Sequence, residues 1–365
     1  MPASDEFGTK ETRIWNMLAA QHFDSLILTR RDNFAWITGG GRAISAYSEP
    51  ASPVYLVFSA RGKFAVGFSI DLLRTAAEEL AGLGYEAVPL PSFGQSPGEV
   101  ALRLASGRVA ADAPCPGAED IAGAIIKLHE PYTPMELARY DDAAHSSGRI
   151  MAELARWVQP GMTERQVMAR AWEMFVSAGH EGRYMFLGSD ARIAQYRHAV
   201  FTDKPISRAL LLAPCTARWG LLVPVSRLIY FGEPPEDIRR RYLAVATMQA
   251  AMLATVRPGV RLTLLRETYL ELFDRFGYPE EKTVHFHGGP VSYAGSFWDR
   301  CLDPEAVVQA STAFAFYFTV AGAKSEELML VDANRTWLAS AMQPWPMLEI
   351  DIAGQRLTVP DILVR

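Results

Sequence analysis

Three of the seven histidines in this 365-residue chain stand where proton transfer or charge stabilisation could be done. In Tyr196-Arg197-His198 an imidazole follows a phenol and a guanidinium. Its unperturbed pKa lies near neutrality, so the ring can take a proton and return it. A half-exposed structural histidine is the plainer alternative. His285 and His287 alternate, so both side chains share one side if the stretch is a strand. A pair of core histidines bonded to backbone is the competing account, and the better one for His287. Glu326 offers a carboxylate to a cationic or hydrogen-bond-donating group, or else serves a local donor such as Lys324. Glu327 would face the other side of a sheet. Cys215 has a thiol that could act as a nucleophile, although free cysteine commonly serves as a small buried apolar residue. Arg192, Arg197 and Arg218 suit a carboxylate-bearing substrate through bidentate pairing, with ordinary ion pairs as the alternative for each. Tyr317 stands out from Phe314, Phe316 and Phe318, which have core spacing, as a candidate ligand contact.

The elements that would carry these residues come in two similar sets. Val158-Gln159-Pro160-Gly161 is echoed 98 residues later by Val256-Arg257-Pro258-Gly259. Each closes an apolar helical pattern and opens a second amphipathic run that ends at a glycine, Gly179 or Gly277. So long a period fits a duplicated half-domain and not a solenoid. The first set predicts helices over Met135–Val158 and Thr163–Ala178, then strands through Ala191–Ala199, Ala209–Ala217 and Leu221–Phe231. The second predicts helices over Glu236–Val256 and Thr263–Phe276, then strands near Thr283–Phe286, Thr312–Val320 and Glu327–Val331. Two helices and a group of strands, made twice, is an α+β duplicate with an internal pseudo-two-fold.

Before it, short strands and helices alternate in a smaller α/β domain. Strands are expected at Ser25–Thr29, Asn33–Thr38, Val54–Phe58, Lys63–Phe68 and Ala87–Leu90, with a helix over Asp71–Leu83. Thr133-Pro134-Met135-Glu136 reads as a helix start with a capping box. The boundary is therefore placed between 1–131 and 132–365.

A hydrophobic content of 49% gives ample core, and a net charge of −5 leaves no basic face for nucleic acid. Three widely spaced cysteines without a CxxC argue for a reducing, cytoplasmic setting. No apolar run reaches membrane-spanning length, and the polar, acidic start is unlike a secretory signal.

These motifs together resemble the creatinase, prolidase and aminopeptidase P family. They are the helix with its Val-x-Pro-Gly turn and Thr163-Glu164, Asn33-Phe34-Ala35-Trp36-Ile37-Thr38-Gly39, Gly220 to Arg227 with Gly232, and Ser325-Glu326-Glu327-Leu328-Met329-Leu330-Val331. The resemblance covers about Thr12 to Ala339. It implies a pita-bread catalytic domain behind a creatinase-type N-terminal domain, and a homodimer in which Arg42, after Gly39-Gly40-Gly41, could reach a partner's site, an ordinary glycine turn being the plainer account of that segment. The family's peptidases hold two metal ions through five ligands. Carried over, those positions fall on Ala213, Pro224, Gly289, the neighbourhood of Tyr317, and Glu326, so only the last offers a donor. The resemblance then points to the metal-free branch, without a cofactor. There His198 is the general acid/base, His285 steadies developing charge, and Glu326 orients a small-molecule substrate. Tyr196, Arg197, Arg192, Arg218, Cys215, Tyr317 and His287 would line its pocket. The expected activity is hydrolysis or lysis of a C–N or related bond in a small polar, amino-acid-like metabolite. The alternatives are a non-catalytic binding or scaffold module and a peptidase with relocated ligands.

Overall fold

A computed structural model describes residues 6–46, 49–295 and 298–365. It divides into two compact units, one ending at Glu136 and the other beginning at Leu137. The division falls five residues beyond the expected 131/132 boundary. The reason is local: the Thr133–Glu136 capping box forms, and the buried Glu136 carboxylate pairs with Lys10 at 2.9 Å. That pair ties the first helical turn to the first unit.

The first unit contains α1 (Glu6–Ala20), β1 (Ser25–Arg30), α2 (Arg31–Ile37), β2 (Ala51–Ser59), β3 (Gly62–Phe68), α3 (Ser69–Glu78) and β4 (Glu86–Leu90). After them come α4 (Pro97–Leu104), β5 (Val109–Ala111), β6 (Glu119–Asp120) and α5 (Ala122–Lys127). Its mixed six-stranded sheet runs β4-β3-β2-β1-β5-β6. Asn33–Thr38, expected as a strand, is helical: every residue of α2 is buried, so no one-sided pattern marks its period.

The second unit takes α6 (Pro134–Trp157) from Leu137 onward, then α7 (Glu164–Ser177), β7 (Glu181–Ser189), α8 (Ala191–Gln195), β8 (Ala209–Arg218), β9 (Leu221–Pro224) and β10 (Arg227–Tyr230). It continues with α9 (Glu236–Thr255), α10 (Leu262–Arg275), β11 (Gly288–Pro290), β12 (Thr312–Val320), β13 (Ala323–Val331) and β14 (Thr336–Leu338). A hairpin of β15 (Met347–Ile352) and β16 (Gln355–Pro360) and the short β17 (Leu363–Val364) close the chain. Each half builds its own sheet, β17-β10-β8-β7 with β9 on β8, and β11-β12-β13-β14.

The duplication extends to single hydrogen bonds. Gly161 N–H donates to Ile206 O at 2.8 Å, and Gly259 N–H to Val308 O at 2.9 Å. Ile206 returns a bond to Met162 O, and Val308 returns one to Val260 O. Thr163 bridges Pro205 as Arg261 bridges Val307. Gly179 and Gly277 come after α7 and α10 at φ +79° and +81°, the left-handed stop that glycine adopts without a Cβ penalty. Apolar faces of α6 and α7 pack on β7, β8 and β10, and those of α9 and α10 on β12 and β13.

Two strands expected in the second unit are absent. Ala191–Ala199 is a short helix and a loop, and its strand lies earlier, at Glu181–Ser189. There a polar start, Glu181-Gly182-Arg183, and a register irregularity between Gly182 and Tyr184 hide the alternation. Thr283–Phe286 is the end of a 3₁₀ turn (Pro279–Thr283) and an irregular link, so the strand geometry expected to align His285 with His287 does not exist. No helix among the described residues is long and apolar enough to cross a membrane.

Candidate functional site

The loop between α8 and β8 carries His198, and a buried carboxylate holds that loop. Glu164, in the first turn of α7, accepts from Ser189 N and Oγ, Thr202 N and Oγ1, and Arg192 Nε, all within 3.0 Å. Burial acts to raise its pKa, but Thr202, Ser189 and Arg192 outweigh it and hold the carboxyl below the usual range.

The segment carrying His285 is secured to the same loop. Glu281 accepts two bonds from Arg197 Nη2, at 2.7 and 2.8 Å, and one from Arg197 Nε at 3.3 Å. Its Oε1 also accepts from Ala321 N–H at 3.0 Å. Arg197 and Glu281 thus clamp the two histidine-bearing loops together.

Between those loops, His198 Nε2 lies 3.1 Å from His285 Nε2. Phe286 O, 2.6 Å from His285 Nδ1, can only accept, so Nδ1 carries that ring's proton. His285 Nε2 is then a lone pair, His198 Nε2–H donates to it, and His198 Nδ1 is left as an acceptor without a partner among the described residues. Both rings are held neutral. Burial and the Lys324 ammonium lower His198 below the ordinary value, and the same causes bring His285 down to about 3. With its one donor spent on Phe286, His285 presents a lone pair to a charge forming on His198, and no N–H to a substrate oxyanion.

Phe186 covers one face of the His198 ring at 4.0 Å, nearly parallel, and Phe286 lies 6.2 Å away. Tyr184 continues the row, stacked 6.4 Å from Phe186. Facing β8, Tyr184 stands opposite Cys215 and Phe186 opposite Ala213, so all four share one face of the sheet.

The second half adds a buried ion pair. Lys324 Nζ lies 2.9 Å from Glu326 Oε2, with side-chain exposures of 3% and 9%, and 5.7 Å over the Tyr317 ring. Tyr317 is paired with Glu326 across β12 and β13, and its ring is 6.0 Å from His285. Ser226 N–H donates to Glu326 O at 2.9 Å, joining the halves at this point. Glu327 turns the other way and is buried against Arg227 and Ser340 Oγ.

A metal implied by the family would need several convergent donors. Ala213, Pro224 and Gly289 have none, Pro224 stands opposite Cys215 on β8, and the Glu326 carboxylate is taken by Lys324. Among the described residues no group of three or more His, Cys, Asp or Glu is arranged to hold a metal ion. The donor set does not fit the dinuclear group.

The remaining sequence candidates are engaged elsewhere or inert. His287 Nε2–H donates to Lys282 O, and its ring packs 5.1 Å from Tyr269. Arg192 joins Glu164 and covers the exposed Tyr196 ring. Arg218 joins Asp142 at 2.6 Å and stacks on Trp219. Each of the three named arginines therefore has a protein carboxylate. Burial, with the Glu326 carboxylate adding, pushes the Cys215 thiol up to about 12, so it stays protonated at neutral pH. Arg42 lies in the first unit, exposed, its backbone N–H bound by Glu79. Gly288 belongs to β11 and packs closely on β12: a Cβ there would lie 2.0 Å from Ala315 O. Sequence reasoning missed Glu164, Glu281, Phe186 and Phe286 as site-building residues. Only Phe286 carried a signal, as an aromatic flanked by two histidines.

The family model described as Metallopeptidase family M24 matches residues 138–333. An uncharacterized hydrolase/peptidase y4tM from Sinorhizobium fredii is 25% identical over 177 residues, 45% of this chain and 44% of that protein. The match thus spans less than half the length of that relative. Among solved structures, an Xaa-Pro dipeptidase from Bacillus anthracis superposes with TM-score 0.77 at 15% identity, over 98% of this chain and all (100%) of that one. Dipeptidase PepE from Mycobacterium ulcerans gives 0.76 at 18% identity over 98% of both chains. The N-terminal domain of the FACT complex subunit SPT16 from Cicer arietinum gives 0.70 at 10%, over 92% and 96%. At these identities the likeness to solved structures is one of fold.

Proposed function

The chain belongs to metallopeptidase family M24, and we propose that it is a hydrolase or lyase in which a histidine pair, without a metal ion, performs the proton transfer. The observation that carries this is the 3.1 Å contact between His198 and His285 beside a site whose donors do not suit a metal. The substrate is a small amino-acid-like molecule with a C–N bond to break. For hydrolysis, water attacks the carbonyl carbon of that bond while His198 Nδ1 takes the water's proton. The imidazolium keeps its Nε2–H on the neutral His285 Nε2, which orients the ring and supports its charge. The same proton then passes to the leaving nitrogen as the C–N bond breaks, so the ring ends neutral. Lys324 contributes a fixed positive field favourable to the tetrahedral oxyanion.

The test is turnover of a panel of acyl amides and dipeptides by the wild-type chain and by His198→Ala. A loss on the order of 10²-fold or more is expected for a proton-transfer residue. Equal rates would remove His198 from the mechanism.

A second reading has one observation in its favour. The small cavity beside Ala213 and Phe186 measures only about 10 Å³, room for one water. The SPT16 domain shows the same fold in a complex subunit. A binding module would turn over nothing in that panel, in either variant.

A further inference from the structure

Among the described residues one cationic side chain at the site has no partner. β7 is irregular in register at Arg183: Gly182 pairs with Thr216 and Tyr184 with Cys215, leaving Arg183 as the extra residue. Bulges of this kind bend a strand and re-aim a side chain, and they collect beside functional sites. Arg183 Nε is buried without a hydrogen bond, and no ion pair engages its guanidinium. Arg170 and Arg227 also bury an unpartnered Nε, yet they pair through other nitrogens with Glu173 and Glu327. A partly buried arginine with no counter-charge is costly unless something supplies one. In such a bulge two residues stand opposite one on the neighbouring strand, here Arg183 and Tyr184 opposite Cys215, which sets Arg183 beside the face that Cys215 shares with Ala213.

Its surroundings indicate what that something is. Tyr184, 60% exposed, and Phe186 lead from the bulge to His198 through ring contacts of 6.4 and 4.0 Å. Phe286, 75% exposed, faces His198 from the other loop. Large apolar rings left open around a polar centre mark a binding surface. The three other arginines near the loops are already spoken for by Glu164, Glu281 and Asp142.

We propose that Arg183 binds the carboxylate of an elongated substrate whose flat or apolar middle lies along Tyr184 and Phe186 and whose scissile bond reaches His198. The spacing sets the substrate's shape: three residue steps run from the anchor to Phe186, the ring under His198, roughly 10 Å along a regular strand and less across the bulge. Carboxylate and reacting bond therefore sit at opposite ends of a body at least as long as a phenyl group. An α-carboxylate directly beside the scissile bond would not span it. The proposal rests on the histidine-pair reading for the position of the reacting bond, while the Arg183 anchor is measured by binding alone.

The experiment titrates 3-phenylpropionate and the uncharged 3-phenylpropan-1-ol into the full-length protein by calorimetry. Wild type should bind the carboxylate at least about 10-fold tighter than the alcohol, and added salt should shrink the preference. Arg183→Met should abolish it, Arg183→Lys should keep only part because the bidentate fork is lost, and His198→Ala, which removes a ring stacked on Phe186, should still prefer the carboxylate whatever happens to the two affinities. Equal affinity for the two probes, no binding of either, or a preference that survives Arg183→Met overturns the proposal. If Arg183→Met does not fold, an undiminished preference in Arg183→Lys overturns it. A carboxylate preference kept by a His198→Ala protein with unimpaired turnover would sink the histidine mechanism and leave the anchor standing.

Discussion

The two halves of the second unit share a backbone down to paired hydrogen bonds, and they diverge in the residues just past the shared Pro-Gly turn. After Thr163 comes Glu164, fully buried, collecting five donors from Ser189 at the end of β7, Arg192 in α8 and Thr202 in the His198 loop. After Arg261, 98 residues on, comes Leu262, buried in the apolar core of its half. α7 is opened by a capping box of Thr163 and Gln166, while α10 has no side-chain cap. The second half holds its own histidine loop elsewhere, through Glu281 and the first half's Arg197. Duplication thus supplied two equal frames, and buried carboxylates in unequal places decide where the two imidazoles meet.

Variants at the two equivalent positions sharpen this contrast most. Glu164→Ala leaves the loop donors and Arg192 uncompensated and should cost about 3 kcal/mol in urea unfolding. Leu262→Ala should cost a similar 2–5 kcal/mol, roughly, through lost burial and a cavity. Turnover should collapse only in the first. Losses of turnover that simply track stability in both would break the contrast.

The clamp between halves comes next. Arg197→Ala and Glu281→Ala should each lower turnover about tenfold, with the double variant little worse, a coupling of about 1 kcal/mol in a double-mutant cycle. Additive losses would mean that the pair does not act as one unit.

The smallest effect is on pH dependence. Because burial and Lys324 lower His198, its neutral, base-competent form persists to below the ordinary histidine value. kcat/KM should therefore hold at neutral pH and above and fall as pH drops through the lowered His198 pKa. Lys324→Met should move that fall to higher pH, because removing a neighbouring cation raises a histidine's pKa. A midpoint unmoved in the variant would remove Lys324 from the site's electrostatics.

How much of this was legible in the sequence depends on which signals are local. The Pro-Gly stops, helix caps and alternating strands of the duplicate are short-range patterns, and α6, α7, α9, α10, β8, β12 and β13 lie where those patterns put them. β7 was obscured by its bulge and polar start, and α2 by complete burial. The link at 283–286 was misread because His285 and His287 mimic strand alternation. Glu164 and Glu281 could not be seen as anchors. One sits in a helix's first turn, where an acid is ordinary, and the other in the charge run Glu280-Glu281-Lys282, which looks like a solvated face. Their partners are 25 to 84 residues away in sequence, and nothing local announces such pairs. Arg183 escaped for the same reason: its lack of a partner is a property of the fold.

Metal content measured on protein that is turning over substrate tests the central claim most directly. The histidine-pair account predicts substoichiometric zinc, manganese and iron, with turnover unchanged by exhaustive chelation. A stoichiometric ion that leaves together with activity, and restores activity when added back, would contradict it.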